Sequence, residues 1–572
     1  MVASVECFDN FPIPLSNNSS PPPPADDIVH NLSLPKHFAQ LAQWAPVPYF
    51  KDLVKAAMLD PNAPRILRAQ YVAPQWSTKL GPIVFLTPES RWSTVGGLGV
   101  MVAELSQMLA SYGEQVIVIS PYYEVNGKGE KNYLEREGIY HSLDMSVWVG
   151  PEQVQVGVYE GKFDGVQMFF LKCPQYFPRI YPSFFLTAQV RMVALFAKAC
   201  LEALCQKRII PSVVVTNDWF TGLTAGFGKG GHFGTAFENT TFFHLVHNLE
   251  GSYQGAINMN REERDTLNRD VLGFPTESVA EEGQNCINPS RVALMLSTSW
   301  GTVSPSYRFQ LIQTSPLRTV MSKHLSPFAF PNGVPVELRT QQLFKRAGDS
   351  HSIAKARLQE KYFGLVDPSI PVFAFVGRIT EQKGVHLITA AAWELIQKYE
   401  GRIQILIGGM AMDGYGNGCT REAGRIKQQH PNCIWADGSV FFSDGPLVNL
   451  GADFGLMPSL FEPGGIVQQE FFVAGTPVIA FSTGGLKDTV AEWSPQSATG
   501  NGFVFVSHNA NELIKAVDRA VLVFRSPESY VHLRVNARES VIDADTVACA
   551  WLGEFYRLRG REEEFAKRIR VF

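Results

Sequence analysis

The chain is short of charge. Asp, Glu, Lys and Arg make up 18% of its 572 residues, against about 25% in an average globular protein. Neither sign dominates, since 50 Lys+Arg face 54 Asp+Glu and leave a net charge of −4. That balance excludes a broad basic surface for nucleic acid or anionic lipid. Cysteine is sparse too. The 8 cysteines stand at 7, 173, 200, 205, 286, 419, 433 and 549, with no pair at CxxC spacing. A zinc knuckle or a thioredoxin-type motif is thereby excluded. No apolar run reaches the roughly 18 residues that a membrane-spanning helix needs. The opening MVASVECFDNFPIPL is acidic and has no basic segment before an apolar one. Neither a signal peptide nor an organelle transit peptide is expected from it. Free thiols in a reducing, cytoplasmic setting are the expectation.

Apolar residues, at 45%, are plentiful enough for a large buried core. Residues 16–27, SNNSSPPPPADD, read as a polyproline spacer. Residues 28–80 are broken by proline, with helical patterning around Phe38–Trp44 and Lys51–Met58. The stretch 1–80 is therefore taken as an N-terminal extension. Regular alternation begins at Pro82. PIVFLTP (82–88) is a buried strand, VGGLG a glycine turn, VMVAELSQMLASYG a helix ending at Gly113, and QVIVISP (115–121) the next strand. This is one parallel βαβ unit. Residues 153–173 alternate like a hairpin, Val190–Leu204 is a helix, and 212–219 and 240–248 are buried strands ending in polar residues. TVSPSY (302–307) reads as a strand end running into a helix.

A second alternating set starts near 370 with IPVFAFVGRI and ends with GFVFV. Pro, Asn and Gly cluster in PNGVPVE (331–337), where the two halves part. The fold class expected is α/β, with two doubly wound, Rossmann-like domains at 81–333 and 334–540. Ligands of such sheets bind in the crevice at the carboxyl ends of the strands. The helix ACAWLGEFYRLRG within 541–572 has no strand expected after it.

Five stretches carry candidate chemistry. Gly96, Gly97, Leu98 and Gly99 follow a strand and open a helix, where backbone N–H groups can approach an anion. The same pattern is what a plain tight turn needs. Arg378 and Lys383 directly follow a buried strand, a placement that suits a diphosphate gaining charge as it leaves; a solvated basic loop is the competing reading. In PSLFEPGGIVQQEFFVAG, Glu462 lies in a Pro/Gly loop ahead of a helix and Glu470 stands eight residues later. Carboxylates so placed can accept sugar hydroxyls, or can simply cap and face solvent. Thr483, Gly484, Gly485 and Leu486 repeat the glycine-turn geometry on the second half. His247 and Asn248 close a strand beside the proposed crevice, whereas His244 is out of register with it and reads as structural.

Taken in order, FLTPESRWSTVGGLG, LVHNLEGSYQG, TVSPSY, PNGV, VGRITEQKG, PSLFEPGG and STGGLKDTV resemble the glycogen and starch synthases of bacterial and plant type. That family comprises retaining glucosyltransferases with two Rossmann-like domains, the glycosyltransferase-B fold. The resemblance runs from about 82 to 560. It implies that Arg378 and Lys383 hold the donor diphosphate, that Glu462 faces the transferred glucose, and that His247 lies near its 6-hydroxyl. Asn288 and Arg291 would line the cleft. Gly96, Gly97, Gly464, Gly465, Gly484 and Gly485 would give backbone contacts, and Glu470 would meet the ribose. The last helix would cross back onto the first domain. The donor implied is ADP- or UDP-glucose and the acceptor an α-1,4-glucan, with no cofactor, metal, nucleic acid or membrane involved and the oligomeric state left open. The chain also departs from the family pattern. Thr94 and Val95 stand where bacterial members carry lysine and threonine, Val100 replaces an acid, Gly464 replaces a cysteine, and Leu460 replaces an arginine. A relative that glycosylates a small sugar and a glucan-binding pseudoenzyme are the alternatives.

Overall fold

The computed structural model describes residues 69–71 and 79–571, apart from 127–129, 132, 133, 183, 325, 326, 440, 441, 567 and 568. The helical patterning at 38–44 and 51–58 lies outside these residues.

Two sheets organise the molecule. The first has nine strands: β1 (Ile83–Leu86), β2 (Val116–Pro121), β3 (Tyr140–Val149), β4 (Glu152–Phe163), β5 (Val166–Lys172), β6 (Val213–Asn217), β7 (Thr241–Val246), β8 (Ser299–Thr302) and β9 (Phe328–Ala329). Their order is β9-β8-β7-β6-β1-β2-β5-β4-β3. It is parallel from β9 to β5 and closes with the antiparallel pairs β5/β4 and β4/β3. The second has six parallel strands: β10 (Val372–Val376), β11 (Gln404–Gly408), β12 (Ile434–Asp437), β13 (Phe454–Met457), β14 (Val478–Phe481) and β15 (Gly502–Phe505), ordered β12-β11-β10-β13-β14-β15. Runs such as IVFL, VIVISP, TFFHLV and QILIG are buried at every position. A parallel strand covered by helices on both faces has no solvent side, so it reads as a continuous apolar run. The sparse charge follows from the same cause.

Eight helices bear on the site: α1 (Gly97–Ser111), α2 (Leu186–Gln206), α3 (Pro305–Thr314), α4 (Val336–Ala347), α5 (Val385–Lys398), α6 (Ile466–Val473), α7 (Gly484–Thr489) and α8 (Ala544–Leu558). The hairpin expected over 153–173 is β4 with β5, and β3 extends it to a three-stranded meander. YHSLDMSVWV alternates exposed and buried positions only over its second half, Asp144–Val149. This weak signature explains why it escapes the period-two reading.

The chain passes between the sheets twice, and the two passages touch. Val334 accepts from Ala544 N–H at 3.0 Å and donates to Ile542 at 3.0 Å. Helix α8 then lies on the first sheet. Asp543 caps it, and Trp551, Phe555 and Tyr556 are fully buried in the core that contains Phe85 and Phe243. Trp551 meets Phe243 and Phe328 at ring centroid distances of 5.6 and 4.6 Å. One expectation fails here. A strand does follow the last helix: Ile569–Val571 pairs antiparallel with Ala69–Tyr71. Three residues paired far along the chain leave no periodic trace. Among the described residues the cysteines are free thiols, and no helix is long and apolar enough to cross a membrane.

Candidate active site

The carboxyl ends of the two sheets enclose a cavity of about 750 Å³. The first domain lines it with Glu89, Gly96, Gly97, Leu98, Tyr181, Asp218, Trp219, His247, Asn248 and Tyr253. The second contributes Arg378, Gln382, Lys383, Glu462, Gly464 and Gly465. Parallel topology explains the convergence, because every loop that leaves a strand's carboxyl end opens on the same edge.

Lys383 and Glu462 are ion-paired, with Lys383 Nζ donating to Glu462 Oε2. Ser459 Oγ donates to the same oxygen at 3.1 Å. Two hydrogen bonds hold the loops together: Leu460 N–H donates to the Gln382 carbonyl at 2.9 Å, and the Gln382 side-chain Nε2 donates to the Phe461 carbonyl at 3.2 Å. Arg378 reaches the other domain, where its Nη1 donates to Tyr253 Oη at 3.2 Å. The second domain therefore presents two cations and a carboxylate to one space.

Opposite them, Asp218 takes the backbone N–H of His247 at 2.7 Å and of Asn248 at 3.3 Å. Its own φ is +52°, a left-handed conformation that costs a non-glycine residue free energy. Burial raises its carboxyl pKa to about 7, despite those two N–H donors and with the nearby Glu89 charge adding to the rise. His247 is depressed to about 3 by burial, so it is neutral at pH 7. Asn217 Nδ2 donates to the Leu86 carbonyl at 2.8 Å, which turns Oδ1 toward His247 Nε2 at 2.9 Å. With that amide orientation Nε2 carries the proton and Nδ1 is left as an acceptor.

The first glycine loop differs from expectation. Glu89 Oε2 accepts the N–H groups of Val95, Gly96 and Gly99 at 3.1, 3.2 and 3.3 Å and the Thr94 hydroxyl at 2.8 Å. Tyr181 Oη donates to Oε1 at 2.9 Å. A carboxylate of the protein itself thus occupies part of the helix N-terminus that a phosphate was expected to use. Thr94, where the resemblance leads to the expectation of a lysine, serves that carboxylate.

The second glycine loop lies apart from the cavity. Thr483 and Gly484 border a separate crevice of about 410 Å³ with Ser306 and Lys487, and Gly485 and Leu486 are buried. Gly485 N–H donates to the Glu462 carbonyl at 2.9 Å, so this loop supports the Glu462 loop from behind. Gly484 has φ +44°, and a β-carbon there would lie 2.2 Å from that same carbonyl oxygen. Asn288 and Arg291 are also away from the cavity lining. Asn288 caps a helix by accepting from Arg291 N–H, and Arg291 pairs with Glu281 at 3.3 Å. Glu470 is turned to Arg339 at 2.8 Å rather than to the cavity. Glu89, Asp218, Tyr181, Tyr253 and Gln382 line the cavity without having been singled out. Asp218 alone had a legible signal, at the polar end of a buried strand.

Residues 82–323 match the starch synthase catalytic domain model, and residues 365–540 match the glycosyl transferases group 1 model. The chain is 29% identical to a glycogen synthase of Desulfitobacterium hafniense, over 80% of this chain and 94% of the relative. It is 27% identical to a glycogen synthase of Aeromonas salmonicida, over 77% of this chain and 90% of the relative. Among solved structures, the catalytic domain of starch synthase IV from Arabidopsis thaliana, bound to ADP and acarbose, superposes with a TM-score of 0.70 at 21% identity, covering 85% of this chain and 100% of that one. Sucrose-phosphate synthase from Thermosynechococcus elongatus gives 0.52 at 19% identity, covering 83% and 98%. These two likenesses establish the fold, two Rossmann-like domains around a cleft.

Proposed function

We propose that this chain, which belongs to the glycogen and starch synthase family of glycosyltransferases, moves glucose from ADP- or UDP-glucose to the non-reducing 4-hydroxyl of an α-1,4-glucan with retention of configuration. The observation that carries the reading is the meeting of Arg378, Lys383 and Glu462 with Asp218 and His247 around one cavity.

Each group has a physical role in that reaction. Arg378 and Lys383 hold the diphosphate and stabilise the charge that develops as the glycosyl bond breaks. Donors fixed in place before the reaction are worth most when charge appears in a water-poor site. Glu462, paired with Lys383, accepts hydroxyls of the transferred glucose. Neutral His247 accepts a further sugar hydroxyl at Nδ1 and cannot act as a general acid near neutrality. Asp218 fixes His247 and Asn248 through their N–H groups and offers its second oxygen to the acceptor side. Trp219 and Tyr253 give flat apolar faces for glucan rings. Closure of the two domains excludes the water that would otherwise hydrolyse the donor. The glycine loop, already holding Glu89, contributes sugar contacts, and the donor phosphates rely on the second domain. We place the reaction in the cytoplasm, in line with the free thiols.

The test is incubation with labelled ADP-glucose or UDP-glucose and either glycogen or small sugars, reading diphosphate release and label in polymer. Transfer to glycogen supports the reading. Transfer only to small sugars makes the chain a relative with another acceptor, and glucan binding without diphosphate release makes it a pseudoenzyme.

A further inference from the structure

Near the point where the chain crosses between domains, three charged side chains span the cleft, and the chemistry above uses none of them. Glu104 lies on α1, seven residues beyond Gly97. Arg339 lies on α4, four residues after Pro335. Glu470 lies on α6, four residues after Ile466. Arg339 Nε donates to Glu470 Oε1 at 2.8 Å, Nη2 donates to Glu104, and Nη1 donates to Gln342 Oε1 at 3.2 Å. All three charged side chains are largely shielded, at 16%, 21% and 26% exposure for Glu104, Arg339 and Glu470. One planar guanidinium thus grips a carboxylate from each domain, a geometry that lysine cannot reproduce.

The helices joined in this way are the ones that open on the cavity. Gly97 and Leu98 of α1, and Gly465 and Ile466 at the start of α6, line it. The two helix starts also meet, since a β-carbon on Gly97 would lie 3.2 Å from Ile466 Cδ1. A helix is stiff over the roughly 10 Å from Gly97 to Glu104. Any opening at Arg339 is therefore transmitted to the glycine loop. We propose that Arg339 is a clasp between the domains that fixes their closed angle, and so is a positioning residue for glycosyl transfer. This rests on reading the cavity as the transfer site.

The clasp carries two carboxylates on one cation. Burial raises the Glu104 pKa to about 7, with Glu470 adding to the rise and Arg339 opposing it. Two further charged groups on the packed elements have partners of their own. Arg538 donates to Thr340 Oγ1 and the Val473 carbonyl, and Asp545 of α8 accepts from Tyr112. Burial raises the Glu470 carboxyl as well, with Arg339 opposing, so the clasp loses negative charge as the pH falls through about 7, where Glu104 takes up its proton.

The experiment compares the full-length chain with Arg339→Met, Arg339→Lys and Glu104→Gln. Solution X-ray scattering is recorded with saturating ADP and, in parallel, UDP, and transfer rates are measured from pH 6 to 8.5. Arg339→Met is expected to enlarge the nucleotide-bound radius of gyration and slow transfer at least about tenfold. Arg339→Lys should restore only part of either. Glu104→Gln should stay closed and lose the step in rate near pH 7. Wild-type scattering and rate in Arg339→Met would overturn the clasp. So would a lowered thermal midpoint in that variant with unchanged closure, because that is a purely structural role. If the wild type transfers no glucose but Arg339→Met still opens, the clasp stands and the substrate reading falls.

Discussion

Replacing Lys383 with alanine separates the electrostatics of the site from its chemistry. The Lys383 and Glu462 side chains are 17% and 10% exposed. For charges in contact at an effective dielectric of about 20, the gross attraction is about 4–5 kcal/mol. Breaking a buried pair costs roughly 3–5 kcal/mol, because the remaining charge is left uncompensated. Here the carboxylate borders a cavity that water can enter and keeps Ser459 as a donor. The expected loss is therefore about 2–3 kcal/mol, or a fall in thermal midpoint of about 4–12 °C for a domain of this size. Turnover should fall at least about a hundredfold, the scale of losing one transition-state donor. Glu462→Ala should reduce turnover on the same scale. The double variant Lys383→Ala, Glu462→Gln removes the orphaned charge. It should be more stable than Lys383→Ala alone and stay inactive. The assays are thermal denaturation and diphosphate release on a glucan primer. Turnover of Lys383→Ala within tenfold of wild type, or stability losses that simply add, would refute the argument.

Three further outcomes follow from the structure. His244 and His247 are both depressed to about 3 by burial, His247 adding to the effect on His244. Between pH 6.5 and 3 the unfolded chain therefore binds more protons, so the stability these groups confer is complete above pH 6.5 and lost on acidification. Asp218, raised to about 7, acts in the opposite sense, so the check is whether His244→Gln moves the acid unfolding midpoint downward. Gly484→Ala should cut turnover sharply with little change in expression, since its β-carbon would push the Glu462 carbonyl; unchanged kinetics would count against a supporting role for this loop. Trp551→Ala should destabilise by roughly 3–5 kcal/mol, measured by chemical denaturation of the first domain, because the ring is fully buried among Phe243, Phe328 and Phe555.

Much of this protein is legible without coordinates. Continuous apolar runs bounded by glycine identify the parallel strands, because a strand buried on both faces tolerates no alternation. Polar residues just beyond those runs identify Arg378, Lys383, Glu462 and His247, because chain geometry sends each such loop to the same sheet edge. The alternation of strands and helices also implies two domains and hence a cleft.

Only the tertiary structure decides which neighbour a side chain takes. Gly96 resembles a phosphate loop in sequence, yet Glu89 fills that loop from a strand end seven residues earlier. Glu470 stands at a spacing suited to ribose, yet Arg339 from another helix claims it and binds it to Glu104. Thr483 and Gly484 share the glycine pattern, yet they face a different crevice and support Glu462 from behind. In each case the local pattern specifies a backbone shape and leaves the partner open. The partner is chosen by residues distant in the chain that burial brings within a few ångströms, where an unpaired charge or N–H group is too costly to leave.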